Sequence, residues 1–344
     1  MRRHVLSPVS GLAVLALSAL LLLAAAPVAA APHYGARFDL RQPDGAIVPV
    51  LVWGDEFYQH IETLDGYTLV RDPAGGEICY AQLTPDGDAL VSTGVRAAEG
   101  AAAVVPGLKP HLKVSAKARR EQAQAVRMRL DAELVSLTGG PDKALSPACV
   151  GDVRGITLII DFSDEPGVVP ASAFEDYLNL PGYTGYGSHG SVRDYFYDVS
   201  DGALTYTNHV GTAYFRASRP KSYYDSTAMS YGVGARELIR EALVALNGSG
   251  FDFSQYDANG DGYVDALNAF YAGNPALGWA EGLWPHSSSI SYAADGVSTN
   301  RYQITNIGAG PSLGTFCHEN GHMLCFWPDL YDYDHDSSGV GRSA

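Results

Sequence analysis

The sequence is short of positive charge, of cysteine and of long apolar runs. Its 23 lysine and arginine residues stand against 38 aspartate and glutamate residues, a formal net charge of −15. Nucleic acid and anionic membranes attract basic proteins, so this balance argues against both as partners. Since 46% of the residues are hydrophobic and 18% are charged, the composition is that of a globular protein and excludes a disordered or fibrous chain.

The one long apolar run lies at the start of the chain. Arg2 and Arg3 precede an apolar stretch over about residues 11–26, and small residues follow at 28–31. This order predicts a signal peptide over residues 1–31 and a secreted, extracellular protein. The stretch is shorter than the ~20 residues that cross a bilayer, so we expect no integral membrane span after cleavage. Cleavage leaves 21 basic and 38 acidic residues, a net charge of −17.

Only four cysteines are present, at positions 79, 149, 317 and 325, and none forms a Cys-x-x-Cys pair. Export permits disulfides, with three possible full pairings. Cys317 and Cys325 lie eight residues apart in a predicted helix, a separation of about 12 Å that is too large for a bond. For Cys149 we favour a disulfide to Cys79 or a buried thiol over a thiolate that holds a metal and keeps an enzyme latent.

The length of 344 residues exceeds one core of roughly 100–200 residues, so we expect two folded units plus processing segments. Residues 32–107 read as a β-rich amino-terminal module, with strands at 47–53 and 67–70. Residues 108–150 form a basic helix and linker, helical from Ser115, with seven basic residues and one acid between Lys109 and Arg129. This segment is either a solvated linker or a propeptide that docks on the next domain, with a processing site at Arg119-Arg120.

A catalytic domain is predicted over residues 151–344. The continuous apolar run at 156–162 indicates a strand buried on both faces. Further strands are expected at 203–208 and 266–271, and helices at 171–178, 192–199, 235–246 and 315–324. The pattern predicts an α+β fold class.

The strongest chemical motif is His-Glu-Asn-Gly-His at residues 318–322. On a helix, positions four apart differ by only about 40°, so His318 and His322 can bind one Zn²⁺. Zinc acidifies water and polarises a peptide carbonyl, and Glu319 is placed to act as general base. The alternative is a pair of surface histidines on a polar helix, which the apolar neighbours Phe316 and Met323 argue against.

Zinc needs a third protein ligand that leaves one position open for water. Acidic residues follow the motif, and Asp329, just after Pro328, is placed where a chain turning back from the helix would reach the metal. We predict Asp329 as the third ligand, with Asp332 as the alternative.

A second cation site is predicted over residues 257–265, which match the start of an EF-hand-like calcium loop. The expected ligands are Asp257, Asn259, Asp261, the carbonyl of Tyr263, and Asp265. Position 12 holds Asn268 where a bidentate glutamate is usual, which predicts a weak site with a structural role. The alternative is an Asp/Asn/Gly turn held by its own side-chain hydrogen bonds.

Together these motifs resemble the immune inhibitor A family of secreted bacterial zinc metallopeptidases. The matching residues are 318–322 with 327–332, 44–45, 54–57, 62–67 and 191–196. The resemblance implies a zincin-like catalytic domain, an endopeptidase that acts on proteins or peptides, zinc ligands His318, His322 and Asp329, and structural calcium. Two departures are Cys325, where the related pattern has glycine, and one extra residue before Pro328. We also expect the catalytic domain to be incomplete at its carboxyl end.

The sequence therefore predicts a secreted zinc endopeptidase whose own propeptide can act as an intramolecular inhibitor. The alternative is an exported, calcium-stabilised binding or adhesion protein with a degenerate, inactive peptidase core. Glu319 distinguishes them, because only the first hypothesis requires its carboxylate.

Overall fold

The computed structural model describes residues 33–55, 57–98, 105–138 and 149–327. Within these residues the chain is a mixed α and β protein with three sheets. The expected α+β class is confirmed at this level. No helix in the described part is both long and apolar enough to cross a membrane.

The amino-terminal unit consists of two three-stranded antiparallel sheets. The first contains β1 (His33–Arg41), β2 (Ile47–Gly54) and β3 (Gln59–Thr63), and the second contains β4 (Leu69–Arg71), β5 (Ile78–Leu83) and β6 (Leu90–Arg96). In β2 the side chains of Val48, Val50 and Val52 are buried, and they alternate with the exposed Ile47 and Pro49 and the partly exposed Leu51, which is the period-two pattern of a half-buried strand. The predicted strands at 47–53 and 67–70 correspond to β2 and β4.

Helix α1 (Ala116–Thr138) follows this unit, as the sequence predicted. It begins at Ser115, whose hydroxyl accepts a hydrogen bond from the Ala118 amide at 3.1 Å. The same hydroxyl donates to Asp88 at 2.5 Å, so the start of the helix is tied to the amino-terminal sheets.

The larger unit is built on a six-stranded sheet. Its strands are β7 (Gly151–Asp161), β8 (Leu204–Val210), β9 (Phe215–Arg216), β10 (Ala266–Tyr271), β11 (His286–Ala294) and β12 (Val297–Asn306). The order is β11-β12-β10-β7-β8, with β9 beside the end of β7. All pairs are parallel except β11 with β12, so an antiparallel strand forms one edge.

Helices cover both faces of this sheet. On one face α2 (Ala171–Asn179), α3 (Val192–Val199) and α6 (Leu313–Cys325) share a core with Val153 and Ile159 of β7. On the other face α5 (Val233–Gly248) packs on Ile156 and Ile160, and the short helix α4 (Lys221–Tyr224) precedes it. Burial on both sides explains the continuous apolar run of β7. The predicted helices and the strands β7, β8 and β10 are confirmed, while the β11–β12 hairpin was not predicted.

The two units share an interface. Trp284, which comes just before β11, packs in one cluster with Leu40, Val50 and Ile61 of the amino-terminal sheets. At the rim of this interface Arg71 forms an ion pair with Glu281 at 2.7 Å. The amino-terminal sheets therefore rest on the segment that leads into the edge strand β11.

Candidate metal centre

Helix α6 carries the His-Glu-Asn-Gly-His motif and lies against the sheet. It begins after Ser312, whose hydroxyl caps the Thr315 amide, and it contacts β11, β12 and α3. The Phe316 ring stacks on Phe270 of β10 at a centroid distance of 4.9 Å. A helix anchored by buried aromatic rings is not the polar surface helix of the alternative interpretation.

His318 and His322 point the same way and meet at their ring tips. Their Nε2 atoms are 3.1 Å apart and the ring planes are nearly perpendicular, at 86°. Two nitrogen ligands at about 2.05 Å in a tetrahedral zinc site are separated by about 3.3 Å. The spacing of this histidine pair therefore fits two corners of a zinc tetrahedron, and the same spacing also fits one imidazole donating to the other.

A backbone carbonyl selects the tautomer of His322. Its Nδ1 lies 2.6 Å from the Trp327 carbonyl oxygen, so Nδ1 carries the proton and donates. A neutral His322 then presents an unprotonated Nε2 toward His318. A hydrogen bond to the far ring nitrogen is the usual support of a metal-binding histidine, because it fixes both tautomer and ring orientation.

The turn after α6 brings Trp327 back over the helix. Phe326 adopts the left-handed conformation at φ 55°, one residue beyond Cys325, where the related pattern places glycine. The Arg301 guanidinium lies 4.3 Å from the Phe326 ring, which holds this strained residue in place. Gly321 leaves space for Trp327, because a Cβ there would come within 2.9 Å of the indole ring.

Glu319 lies between the two histidines in sequence and is buried, at 3% exposed. The next residue, Asn320, is completely buried and faces the sheet. The histidine side chains therefore lie on the partly exposed side of α6, and the Asn320 side chain lies on the side that faces the core.

Polar side chains cross the buried face of the sheet beneath α6. Gln303, Asn268 and Thr157 occupy aligned positions on β12, β10 and β7. Asn268 donates to the Tyr206 hydroxyl at 2.7 Å, and that hydroxyl donates to Asn320 at 2.9 Å. We call these side chains the polar row. It links four strands to the helix of the histidine pair, and sequence reasoning missed it.

Two local features accommodate the polar row. Asn208 of β8 accepts from Asn268 at 2.8 Å, and it fits because Gly155 on the neighbouring strand has no side chain. Burial raises the pKa of the Tyr206 hydroxyl, so it stays a neutral donor. Buried polar groups are costly unless they are hydrogen-bonded, so this row favours one position of α6 on the sheet.

The predicted third zinc ligands, Asp329 and Asp332, lie outside the described residues. Within residues 33–327, apart from the undescribed gaps, no three His, Cys, Asp or Glu side chains converge as a metal-binding group. The described part of the site is therefore the histidine pair with Glu319 beside it.

The predicted calcium ligands lie in a loop between α5 and β10, residues 257–265, which we call the acidic loop. Asp257 accepts from the amides of Asp261 and Gly262 at 3.0 Å, and Asp261 accepts from the Tyr263 amide at 2.9 Å. Asn259 accepts from the same Asp261 amide. These are the local bonds of an Asp/Asn turn, so side chains that could bind a cation are engaged with backbone amides.

Asp265 connects the acidic loop to the sheet. Its carboxylate accepts from the amides of Ala258 and Arg154 at 3.1 and 2.9 Å. Burial raises its pKa to about 6, and the negative charges of Asp257 and Asp261 add to the rise. Asn268, at the twelfth position of the predicted loop, belongs to the polar row and faces away from this site.

The acidic loop is close to the carboxyl end of α6. A cleft of about 30 Å³ is lined by Asp261 and Asp265 of the loop, by Arg301, and by Leu324 and Phe326 at the helix end. The acidic loop thus lies next to the end of the helix that carries the histidine pair.

The expected disulfide between Cys149 and Cys79 is not formed, because both are free cysteines, and the alternative expectation of a thiol packed against the core is the one that Cys149 meets. Cys149 lies beside α6, with its sulfur 3.8 Å from the Leu324 carbonyl oxygen, and burial together with the nearby Cys149 raises the pKa of the Cys325 thiol. Cys79 belongs to β5 of the amino-terminal unit. Cys317 and Cys325 occupy one unbroken helix, as predicted, so they cannot bond to each other.

No protein-family model matches this sequence, and a search of curated proteins finds no significant relative. The functional argument therefore depends on the motif and on the geometry of the site.

Proposed function

We propose that this protein is a secreted zinc endopeptidase of the immune inhibitor A type, with a zincin-like catalytic domain. The observation that carries the proposal is the 3.1 Å separation of the His318 and His322 Nε2 atoms on a helix that also bears the buried Glu319. The sheet beneath α6 and the antiparallel edge strand β11 beside it support the zincin-like comparison.

The donor set fits zinc. Neutral imidazole nitrogens are among its preferred ligands, and the hydrogen bond from His322 Nδ1 to the Trp327 carbonyl places the proton on Nδ1, so that Nε2 carries the lone pair a metal needs. His318 and His322 would hold the ion, with Asp329, or Asp332 instead, as the third ligand. When bound, zinc supplies a Lewis acid that polarises the peptide carbonyl and acidifies water.

Glu319 performs the proton transfers in this proposal. Its carboxylate accepts a proton from the attacking water and then delivers that proton to the leaving amine nitrogen. Burial at 3% exposure keeps bulk water away from the carboxylate, which strengthens its interaction with charge that develops nearby.

The edge strand β11 suggests how an extended substrate would bind. One side of β11 pairs with β12, and the other side is the rim of the six-stranded sheet. An extended peptide can add to such an edge through main-chain hydrogen bonds. Because α6 contacts β11, a peptide bound there would pass beside the histidine pair.

The position of α1 supports a propeptide role for the amino-terminal region. This helix packs against β11, and the amino-terminal sheets rest on the segment around Trp284 that leads into the same strand. The basic α1 and the acidic remainder of the chain attract each other. As a propeptide, α1 would cover the edge to which a substrate binds.

The central test compares the native protein with Glu319→Gln. We expect about one zinc per chain in both proteins, and a loss of casein hydrolysis of about 10²–10⁴-fold in the variant. Glu237→Gln is the matched control, because Glu237 lies on α5 at the opposite face of the sheet, where it pairs with Tyr223. Zinc binding without Glu319-dependent hydrolysis would favour the exported calcium-stabilised binding protein instead.

The propeptide proposal has its own measurement. Mass spectrometry of the mature secreted protein should find a new amino terminus between about residues 120 and 150, and removal of the preceding segment should increase casein hydrolysis. A mature protein that begins only near residue 31 or 32 would contradict it.

A further inference from the structure

The region where β7 begins contains a contact that the proposed peptidase chemistry does not use. Cys149, two residues before β7, lies against the carboxyl end of α6. Leu324 directly precedes Cys325, burial and the nearby Cys149 together raise the pKa of the Cys325 thiol, and both cysteine side chains pack in the core shared by α2, α3 and α6. Two cysteines 176 residues apart in the sequence therefore lie near each other at the end of the helix of the histidine pair.

We propose that Cys149 and Cys325 form a disulfide in the exported protein, which ties the start of β7 to the carboxyl end of α6. The proposal rests on the proposed export, since disulfides persist in oxidising compartments. It does not require the protein to be a peptidase.

The surroundings of the two thiols suit this bond. Cys149 is half-buried and Cys325 is 8% exposed, so an oxidant can reach Cys149 first. Burial raises the pKa of the Cys325 thiol, which disfavours its thiolate form.

The oxidation balances with a disulfide as electron acceptor, either a small one such as oxidised glutathione or the disulfide form of a thiol oxidoreductase. The Cys149 thiolate attacks the acceptor disulfide, forms a mixed disulfide and releases one thiol. The Cys325 sulfur then displaces the second thiol. Two protein thiols lose two protons and two electrons, and the acceptor disulfide becomes two thiols.

The bond would act on the metal centre through the helix end. Cys325 is three residues after His322 and is followed by the strained Phe326 turn that leads to Trp327, whose carbonyl supports His322. A covalent tie to β7 would restrain fraying of this last turn. If the chain is cut before residue 149, the bond would also keep the new amino terminus next to α6.

The remaining cysteines provide internal controls. Cys79 is 1% exposed in β5, and Cys317 is 3% exposed within α6, where it faces the aromatic core. We expect both to remain thiols.

The first experiment maps the cysteines in protein exported to an oxidising compartment. Thiols are blocked with N-ethylmaleimide in denaturant, and the protein is digested without reduction. We expect a peptide that links Cys149 to Cys325, with Cys79 and Cys317 alkylated. In Cys149→Ser, Cys325 should become alkylated. Alkylation of both Cys149 and Cys325 in the native protein, or a link from Cys149 to Cys79, overturns the proposal.

The second experiment removes the dependence on export. Purified reduced protein is equilibrated with mixtures of reduced and oxidised glutathione, and melting is followed by calorimetry. Closing so long a loop should raise the melting temperature by about 5–10 °C in the oxidised form. Cys149→Ser and Cys149→Ala should show no such rise. Failure of the native protein to cross-link at any glutathione ratio overturns the proposal, whatever casein hydrolysis shows.

Discussion

The histidine pair and the acidic loop are two candidate cation sites that are organised in opposite ways. On α6, the side chains of His318 and His322 are aimed at a common point by a helix whose buried face is bonded to the sheet. In the acidic loop, the carboxylates of Asp257 and Asp261 are bonded to the amides of their own turn. The fold therefore holds the two histidine rings in position, while a cation at the acidic loop would have to compete with local hydrogen bonds.

This difference predicts distinct responses to metal. A preorganised site loses little conformational entropy on binding, so its affinity depends mainly on the ligands. A turn that must exchange amide bonds for a cation binds more weakly and gains order when it does so. We therefore expect zinc to change activity and calcium to change stability.

The largest expected effect tests the preorganised site. His318→Ala should reduce bound zinc from about one per chain to near zero after dialysis, because only His322 remains on the helix. The fold should persist, since the His318 side chain is only half-buried. Metal analysis and circular dichroism provide the measurements. His189→Ala, at an exposed loop position, is the control and should retain its zinc.

Retention of full zinc by His318→Ala would mean that the 3.1 Å contact is a hydrogen bond between two imidazoles. In that case the histidine pair would not be a preorganised zinc site, and its difference from the acidic loop would no longer predict different responses to metal.

The second effect concerns the strand that flanks α6. His286 of β11 is 1% exposed and neutral, with Nδ1 donating to the Trp284 carbonyl and Nε2 accepting from Tyr302. Burial lowers its pKa from 6.5 to about 4, with a further contribution from the Arg236 charge. Tyr231 also faces the ring, at 4.7 Å between centroids.

The direction in which pH changes folding stability follows from the number of protons that the folded and unfolded chains bind. Between pH 6.5 and about 4 the unfolded chain holds a proton on His286 that the folded chain does not, so stability falls as pH falls. We expect a loss of about 3 kcal/mol over that interval from this group. Urea unfolding of His286→Gln should show a shallower pH dependence, whereas the exposed His189→Gln should follow the native protein. Equal slopes for native protein and His286→Gln would contradict the assignment.

The helices and most strands of the larger unit could be predicted from the sequence because the patterns that indicate them involve residues close together in the chain. The apolar run that became β7 and the helical spacing of His318 and His322 both depend on residues close in the chain. The helix end was harder to predict, since the left-handed residue is Phe326 and not a glycine. A cation–π contact from Arg301, distant in sequence, stabilises it.

The polar row escaped prediction because its members come from separate strands. Asn268 was interpreted as the twelfth position of a calcium loop, whereas the structure buries it against Tyr206 and Asn208. A polar residue within an apolar strand is the one signal that could have indicated this role. The contact of Cys149 with Cys325 was missed for the same reason, as it joins two distant segments.

The third expected effect tests whether the polar row positions the histidine pair. Tyr206→Phe removes only the hydroxyl that joins Asn268 to Asn320, and should lower the free energy of unfolding by about 1–3 kcal/mol. Zinc affinity should fall by about tenfold, as for other groups that orient metal ligands. Competition with a chromophoric chelator measures the affinity.

Tyr214→Phe is the matched control, because its hydroxyl bonds to the Val169 carbonyl away from α6. It should lose stability and keep its zinc affinity. Equal zinc affinities in the two variants would leave the polar row with a purely structural role.

The smallest effect belongs to the acidic loop. Calcium at about ten times its Kd should raise the melting temperature by about 3 °C. Asp261→Asn should abolish this increment, because the amide can still accept from the Tyr263 amide but no longer supplies charge to a cation. Asp252→Asn is the control: Asp252 is exposed, caps the short turn at Phe253–Tyr256, and lies outside the ligand pattern, so its calcium increment should match that of the native protein. An unchanged melting temperature in excess calcium would make the acidic loop a hydrogen-bonded turn alone, and the helix end beside it would then depend on Arg301 and the Cys149–Cys325 contact.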